Sequence, residues 1–201
     1  MQQKGLLVVV SGPSGTGKGT VCQKLLSQRE TAKYSVSATT RKPREGEVEG
    51  KNYFFVSENK FLEMIEENDL IEWDKYCDNY YGTPKSYVES CINDGLDIIL
   101  EITVAGALEI KQKYPDCVLV FIIPPTFEEL KRRIVSRGTE CTDVIEKRLE
   151  QASKEMKYAP KYDYVVLNDC INNAVLDIEK ILDAERLKPS RNTEFLNTLL
   201  K

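Results

Sequence analysis

The sequence contains no histidine, and that absence removes a large part of enzyme chemistry. Ser-His and Cys-His nucleophilic arrangements are excluded, because each needs an imidazole base. The zinc sites that use His fall with them. Cysteines stand at positions 22, 77, 91, 117, 141 and 170 with no CxxC pair, so a four-cysteine site lacks its usual spacing. They are expected to be reduced and packed as small hydrophobes in a cytoplasmic protein. Long apolar runs are missing as well. None approaches the roughly 18 residues of a membrane helix, and the short run at 6–10 falls below a signal peptide's apolar region. There are no internal repeats and no low-complexity tract. A net charge of −4 and a sequence pI near 5.2 leave no basic face, so neither nucleic acid nor membrane is an expected partner. Nothing points to an obligatory protein partner.

What remains is ordinary globular material. A chain of 201 residues, 41% hydrophobic and 30% charged, suits one α/β domain with smaller inserts. Apolar runs at 6–10, 97–102, 117–123 and 164–167 are nearly continuous and rich in Val and Ile, as buried strands are. Helical patterns follow them at 18–28, 105–113, 127–136 and 171–184, the third opened by a capping box of Thr126 and Glu129. This alternation predicts a mostly parallel sheet with ligands at the strands' carboxyl ends. The core is assigned to 1–34, 86–125 and 158–185. Residues 35–85 break the rhythm with short strands, turns and one helix near 58–67, and are read as an inserted subdomain. Residues 126–157 form a helical lid whose charge-rich part breaks at Gly138 and Thr139. Residues 186–201 are an extension that restarts a weak helix beyond Pro189.

The stretch "GPSGTGKGT", comprising Gly12, Pro13, Ser14, Gly15, Thr16, Gly17, Lys18, Gly19 and Thr20, lies between the first strand and a helix. It fits G-x-x-x-x-G-K. Glycines let backbone N–H groups turn inward around phosphate oxygens, and the helix amino end adds positive potential. Lys18 would reach the β- and γ-phosphates. Gly19 stands where the pattern has a metal-binding hydroxyl, and Thr20 is the adjacent candidate.

A second cationic stretch, "SATTRKPREGEVEGKNYF" from Ser37, needs its own explanation in an acidic chain. Arg41 and Arg44 flank Pro43, which biases Lys42 away from helix. Two guanidiniums held close repel unless an anion lies between them, and arginine's planar fork suits a phosphate. The bland alternative is a solvated loop whose cations pair with Glu45, Glu47 and Glu49.

Taken together, "SGPSGTGKGT", "SATTRKPREGEVEGKNYFF", "LIEWDKYCDNYYGT", "ILEI", "LKRRIVSRGTE", "EKRL" and "YVVLND" resemble the guanylate kinase family from about Leu6 to Ala184. The resemblance implies a P-loop parallel-sheet core, an inserted GMP-binding subdomain and a helical lid. It implies transfer of the γ-phosphoryl of ATP to GMP, and to dGMP, with Mg2+ as cofactor. It places Ser37, Arg41, Arg44, Tyr53 and Tyr81 on the GMP phosphate, and Glu72 with Thr83 on the guanine. Guanine offers N1–H and N2–H2 to one carboxylate and an O6 acceptor to a hydroxyl. Glu47 and Glu101 match family acids and are expected to orient the arginines or a metal-bound water. Asn168 matches a residue near the adenine. One block departs: the family's "EIDVQG" is "EITVAG" here, so Thr103 stands where an aspartate helps hold the guanine, and Ala105 replaces a glutamine.

Arg133 and Arg137 are four apart on one helix, and Arg148 lies on the next. Glu129 with Arg133 makes a good i,i+4 pair, whereas the resemblance has all three arginines close over the triphosphate. Two rival readings stay open. One is a related interaction domain that binds phosphorylated peptides. The other is a kinase for AMP or dTMP.

Overall fold

The computed structural model describes residues 4–76, 78–136 and 142–199. Its larger sheet holds β2 (Ala32–Tyr34), β7 (Asp97–Glu101), β1 (Leu7–Ser11), β8 (Val118–Ile123) and β9 (Tyr164–Leu167), in that spatial order. All four pairings are parallel. Side chains alternate across such a sheet. Val8 and Val10 therefore enter one core with Val21, Leu25 and Ile178, while Leu7 and Val9 enter another with Val88, Ala107 and Ile110. The first face is covered by α1 (Lys18–Gln28) and α7 (Ile171–Arg186), the second by α3 (Lys85–Asn93) and α4 (Val104–Lys113). Covering both faces is why β1, β7 and β8 read as nearly unbroken apolar runs. The expected α/β parallel sheet is the one observed, with all strand carboxyl ends on one side.

Two core elements were not anticipated. β2 is three residues long with Lys33 exposed, so no apolar run marks it; its pairing to β7 makes it a strand. α3 starts straight after Pro84 and buries only Val88 and Cys91, too weak a stripe to stand out. The cysteines also divide. Cys22, Cys91 and Cys117 are buried as expected, but Cys170 is exposed, because it occupies the N-cap turn of α7 outside the packed stripe. Cys77 and Cys141 lie outside the described residues.

A second, smaller sheet runs β4 (Phe54–Phe55), β3 (Ala38–Thr39), β6 (Asn79–Pro84), β5 (Leu70–Tyr76). α2 (Glu58–Glu66) packs on it through Phe61, whose ring stacks on Tyr80 at 5.3 Å. Between Leu70 and Trp73 the β5–β6 register shifts by one residue. Such a bulge re-aims a side chain, and here it brings Glu72 opposite Thr83. Beyond β8, α5 (Phe127–Val135) and α6 (Thr142–Met156) share a small cluster of Leu130, Ile134 and Ala152. Thr126 caps α5 by accepting from the Glu129 amide. The Glu129 carboxylate binds Arg132 and Arg133 at 2.7 Å. Only the Thr126 half of the expected capping box is thus formed as written. Beyond Pro189, α8 (Thr193–Leu199) is short and largely exposed. Among the described residues no helix is long and apolar enough to cross a membrane.

Gly5 fixes the approach of the chain to β1. A Cβ there would lie 1.9 Å from the Leu96 carbonyl oxygen, and the obstacle is backbone. Gly5→Ala is expected to cost about 3 kcal/mol, a fall of roughly 6–12 °C in melting temperature. Thermal unfolding followed by circular dichroism checks it.

Candidate active site

The carboxyl end of β1 opens into the glycine loop. Gly12 has φ +143°, and a Cβ on it would meet the Ile122 carbonyl of β8 at 2.3 Å. Gly15 and Gly17 have φ of +91° and +87°, a region L side chains rarely adopt. Gly17 is the N-cap of α1 without a side-chain cap, so the first amides of the helix face the loop's concavity. Thr16 holds the turn by donating from both its amide and its hydroxyl to the Pro13 carbonyl. Lys18 Nζ folds over the loop and donates to the carbonyls of Gly12 and Pro13, at 2.6 and 3.1 Å. A cavity of about 320 Å3 opens here, lined by Ser14, Gly17, Lys18, Thr20, Gln23 and Glu101. A larger one, about 830 Å3, lies at the amino ends of the strands between Lys4, Asp116, Arg186, Arg191 and Phe195. Its arginines are bound to buried acids, Arg186 to Asp97 and Arg191 to Glu185. The smaller cavity is the one lined by the glycine loop and the start of α1.

Three residues brace the loop from outside. Asn168, 3% exposed, donates to the Thr16 carbonyl at 2.7 Å, and its amide nitrogen would lie 2.7 Å from a Cβ on Gly17. Arg133 reaches the same Thr16 carbonyl at 3.4 Å and the Asn168 carbonyl at 3.0 Å, while its Nε binds Glu129. Arg148 donates to Ser14 Oγ at 2.6 Å. These bonds tie α5 and α6 to the glycine loop. Arg132 and Arg133 together hold the Glu129 carboxyl down at about 2. Arg137 lies outside the described residues.

In the smaller sheet the basic stretch has an internal counter-ion. Glu47 accepts two parallel bonds from Arg41, at 2.7 and 3.0 Å, and a third from the Arg44 amide at 2.7 Å. Arg41, then the Arg44 amide, holds Glu47 below the usual carboxylate range. The bidentate pairing in turn raises Arg41. The Arg41 guanidinium lies 5.4 Å from the Tyr53 ring centre, and Tyr53 meets Tyr81 edge-on at 6.0 Å. Ser37 leads into β3, its carbonyl accepting from the Phe54 amide. Arg44 is exposed. The cluster is therefore a set of donors arranged around a carboxylate.

Two residues along β6 from Tyr81, on the same face, the buried Thr83 hydroxyl donates to Glu72 Oε1 at 2.7 Å. Burial pushes the Glu72 carboxyl above its ordinary range. Thr103 is elsewhere engaged: it is the N-cap of α4, and its hydroxyl accepts from the Gly106 amide at 3.3 Å. Glu101, grouped by the sequence with the insert's acids, ends β7 at the phosphate-loop cavity and accepts from the Tyr34 hydroxyl. Sequence reasoning passed over Tyr34 and Gln23. Gln23 follows from its place one turn beyond Gly19; only the β2–β7 register could have found Tyr34.

The family model for guanylate kinase matches residues 4–185. A curated guanylate kinase of Desulfitobacterium hafniense (strain Y51) is 53% identical over 190 residues, covering 94% of this chain and 95% of that protein. That of Bacillus subtilis (strain 168) is 50% identical over 192 residues, covering 95% and 94%. The crystal structure of guanylate kinase from Anaplasma phagocytophilum superposes with a TM-score of 0.71 at 34% identity, over 94% of this chain and 90% of that one. A match that runs through the glycine loop, the smaller sheet and α5–α6 alike, at half identity over nearly full length, leaves one conclusion: this chain belongs to the guanylate kinase family.

Proposed function

We propose that the phosphate-loop cavity takes ATP and the smaller sheet takes GMP, with this chain's own residues carrying the family's phosphotransfer to ADP and GDP, a step of purine nucleotide metabolism. The observation that carries the assignment is β6. One strand face presents Tyr81 beside the Arg41–Glu47 cluster and Thr83 beside Glu72, so an anion grip and a donor-reading carboxylate sit one residue pair apart. That suits a guanine monophosphate, and dGMP as well, since none of these residues reads the 2′ position. On binding, the phosphate would compete with Glu47 for Arg41. Guanine N1–H and N2–H2 would compete with Thr83 for Glu72, releasing the Thr83 hydrogen for O6.

The attacking oxygen of GMP is already an ionised phosphate, so no general base is needed. The chain's task is to hold two anions in line and offset their repulsion. Lys18 and the loop amides hold the β- and γ-phosphates. Arg133 and Arg148, already on the loop, and Arg137 by the family match, close over the triphosphate. Asn168 keeps Gly17 and Thr16 in place beneath the nucleotide. Mg2+ fits the oxygen donors of this cavity. Among the described residues no cluster of three acids, His or Cys forms a cage; Thr20 and Glu101 offer the hydroxyl and carboxylate that, with phosphates and water, suit this ion. Bound with ATP, it would supply charge neutralisation at the β- and γ-phosphates. The cytoplasm, where both nucleotides are available, is the compartment we assign.

The test is ADP formation from ATP with GMP, dGMP, AMP, UMP and dTMP in parallel. Turnover with AMP and none with GMP would overturn the assignment. Arg41→Ala should raise KM for GMP about 30-fold, the worth of a charge-assisted bidentate grip, with KM for ATP within twofold. Steady-state kinetics in both substrates separate the two.

A further inference from the structure

We propose that Tyr34 is a positioning residue for phosphoryl transfer: its hydroxyl holds the Glu101 carboxylate at the wall of the phosphate cavity, supplying from β2 a donor that the loop lacks at Gly19. The proposal rests on the assignment of that cavity to the ATP phosphates. No motif in the sequence includes Tyr34.

Tyr34 is the last residue of β2 and pairs with Ile99, two residues before Glu101 on β7. Its hydroxyl donates to Glu101 Oε2. The ring packs at the edge of the core that holds Val8, Cys22 and Ile99, so the hydroxyl is presented from a fixed frame. On its other side Glu101 overhangs the start of α1. A Cβ on Gly19 would lie 3.4 and 3.8 Å from its two carboxylate oxygens. The common phosphate-loop pattern has Ser or Thr at that position, and here Gly19 has no side chain to offer the carboxylate.

An untethered carboxylate in this wall would have two harmful options. It could swing onto the Lys18 ammonium, which lines the same cavity, and draw it from the phosphates. It could also swing into the triphosphate's space and repel it. A hydrogen bond to an ionised carboxylate is among the stronger ones available to a side chain, and it removes both options. Tyr34 donates and Glu101 accepts, across the β2–β7 pairing.

Tyr34→Phe removes only the hydroxyl and keeps the ring. It is expected to lower kcat about 10-fold, the scale of a lost bond to a charged group, while both KM values stay within twofold and the melting temperature is unchanged. In a Glu101→Gln background the same substitution should change kcat by less than twofold, since Tyr34 acts through that carboxylate. Gly19→Ser, whose Cβ meets only ordinary van der Waals distances, should recover activity in Tyr34→Phe by more than it adds to the parent protein. Unchanged kcat in Tyr34→Phe, an equal loss repeated in the Glu101→Gln background, or no such recovery would overturn the role of Tyr34. Lys18→Ala, run alongside, separates the two levels. Full turnover there overturns the cavity assignment itself, whereas loss there with none in Tyr34→Phe overturns only this inference.

Discussion

Lys18→Ala is expected to lower kcat by about 10²–10³, the range seen when one preorganised transition-state donor is removed. The reasoning starts from the loop. Gly12, Gly15 and Gly17 take positive φ values that open the backbone, and Lys18 begins the helix that follows. Its ammonium is held over the loop by the Gly12 and Pro13 carbonyls, neutral acceptors that an incoming γ-phosphate outbids on charge. The lysine can thus follow the phosphoryl group as charge shifts between donor and acceptor. KM for GMP should move less than threefold, because Tyr81 lies on β6 of the other sheet and Arg41, Glu47 and Tyr53 lie in the segment joining its β3 and β4. Stability should change little, since both of those carbonyls stand at a partly exposed site where water can replace the ammonium. Lys18→Arg should not restore the rate: a planar fork cannot occupy a point between two loop carbonyls. Wild-type turnover in Lys18→Ala would overturn the assignment of Lys18 to the reacting phosphates.

How much was legible in the sequence follows from what each residue type can signal alone. Val8 to Val10 announce a strand covered on both faces because an apolar run has few other uses, and the glycine loop announces phosphate because its backbone has few other uses. The bounds expected for α1 and β9 are the observed ones, although β9 is not the buried strand expected, since Val165 and Leu167 are exposed. β2 could not be read, since Ala32–Tyr34 becomes a strand only when β7 supplies the partner. Arg41 and Arg44 looked like an unfilled anion site from their spacing. The alternative reading, cations paired with Glu45, Glu47 and Glu49, is met at one acid: Glu47 binds Arg41 through two bonds across six residues. Thr103 was legible as a change of chemistry at one position. That its hydroxyl caps α4 depends on where the helix begins. Tyr34 was illegible because its function runs through Glu101, distant in sequence and adjacent across a sheet.

The second large effect concerns the base. Glu72→Gln is expected to lower kcat/KM for GMP by about 10³–10⁴, the scale at which sites built on buried hydrogen bonds reject mismatched partners. A carboxylate accepts N1–H and N2–H2 together; a glutamine turns its own NH2 toward one of those donors and leaves it unpaired. Thr83 cannot compensate, as its hydroxyl has a single hydrogen and O6 takes it. The pH dependence carries the same signature. Burial raises the Glu72 carboxyl, so acidification protonates it at higher pH than an ordinary glutamate, and GMP capture should weaken from that pH downward. KM for GMP in Glu72→Gln should lack this limb. Stability moves the other way. A carboxylate whose folded pKa is raised binds its proton more tightly folded than unfolded, so it favours the fold at low pH and loses that contribution as pH rises. At neutral pH the ionised, buried Glu72 is then a cost to the fold, and Glu72→Gln should melt at the same temperature as the parent or higher. A variant that loses both stability and GMP selectivity in proportion would show that Glu72 is a structural residue and not the reader of guanine.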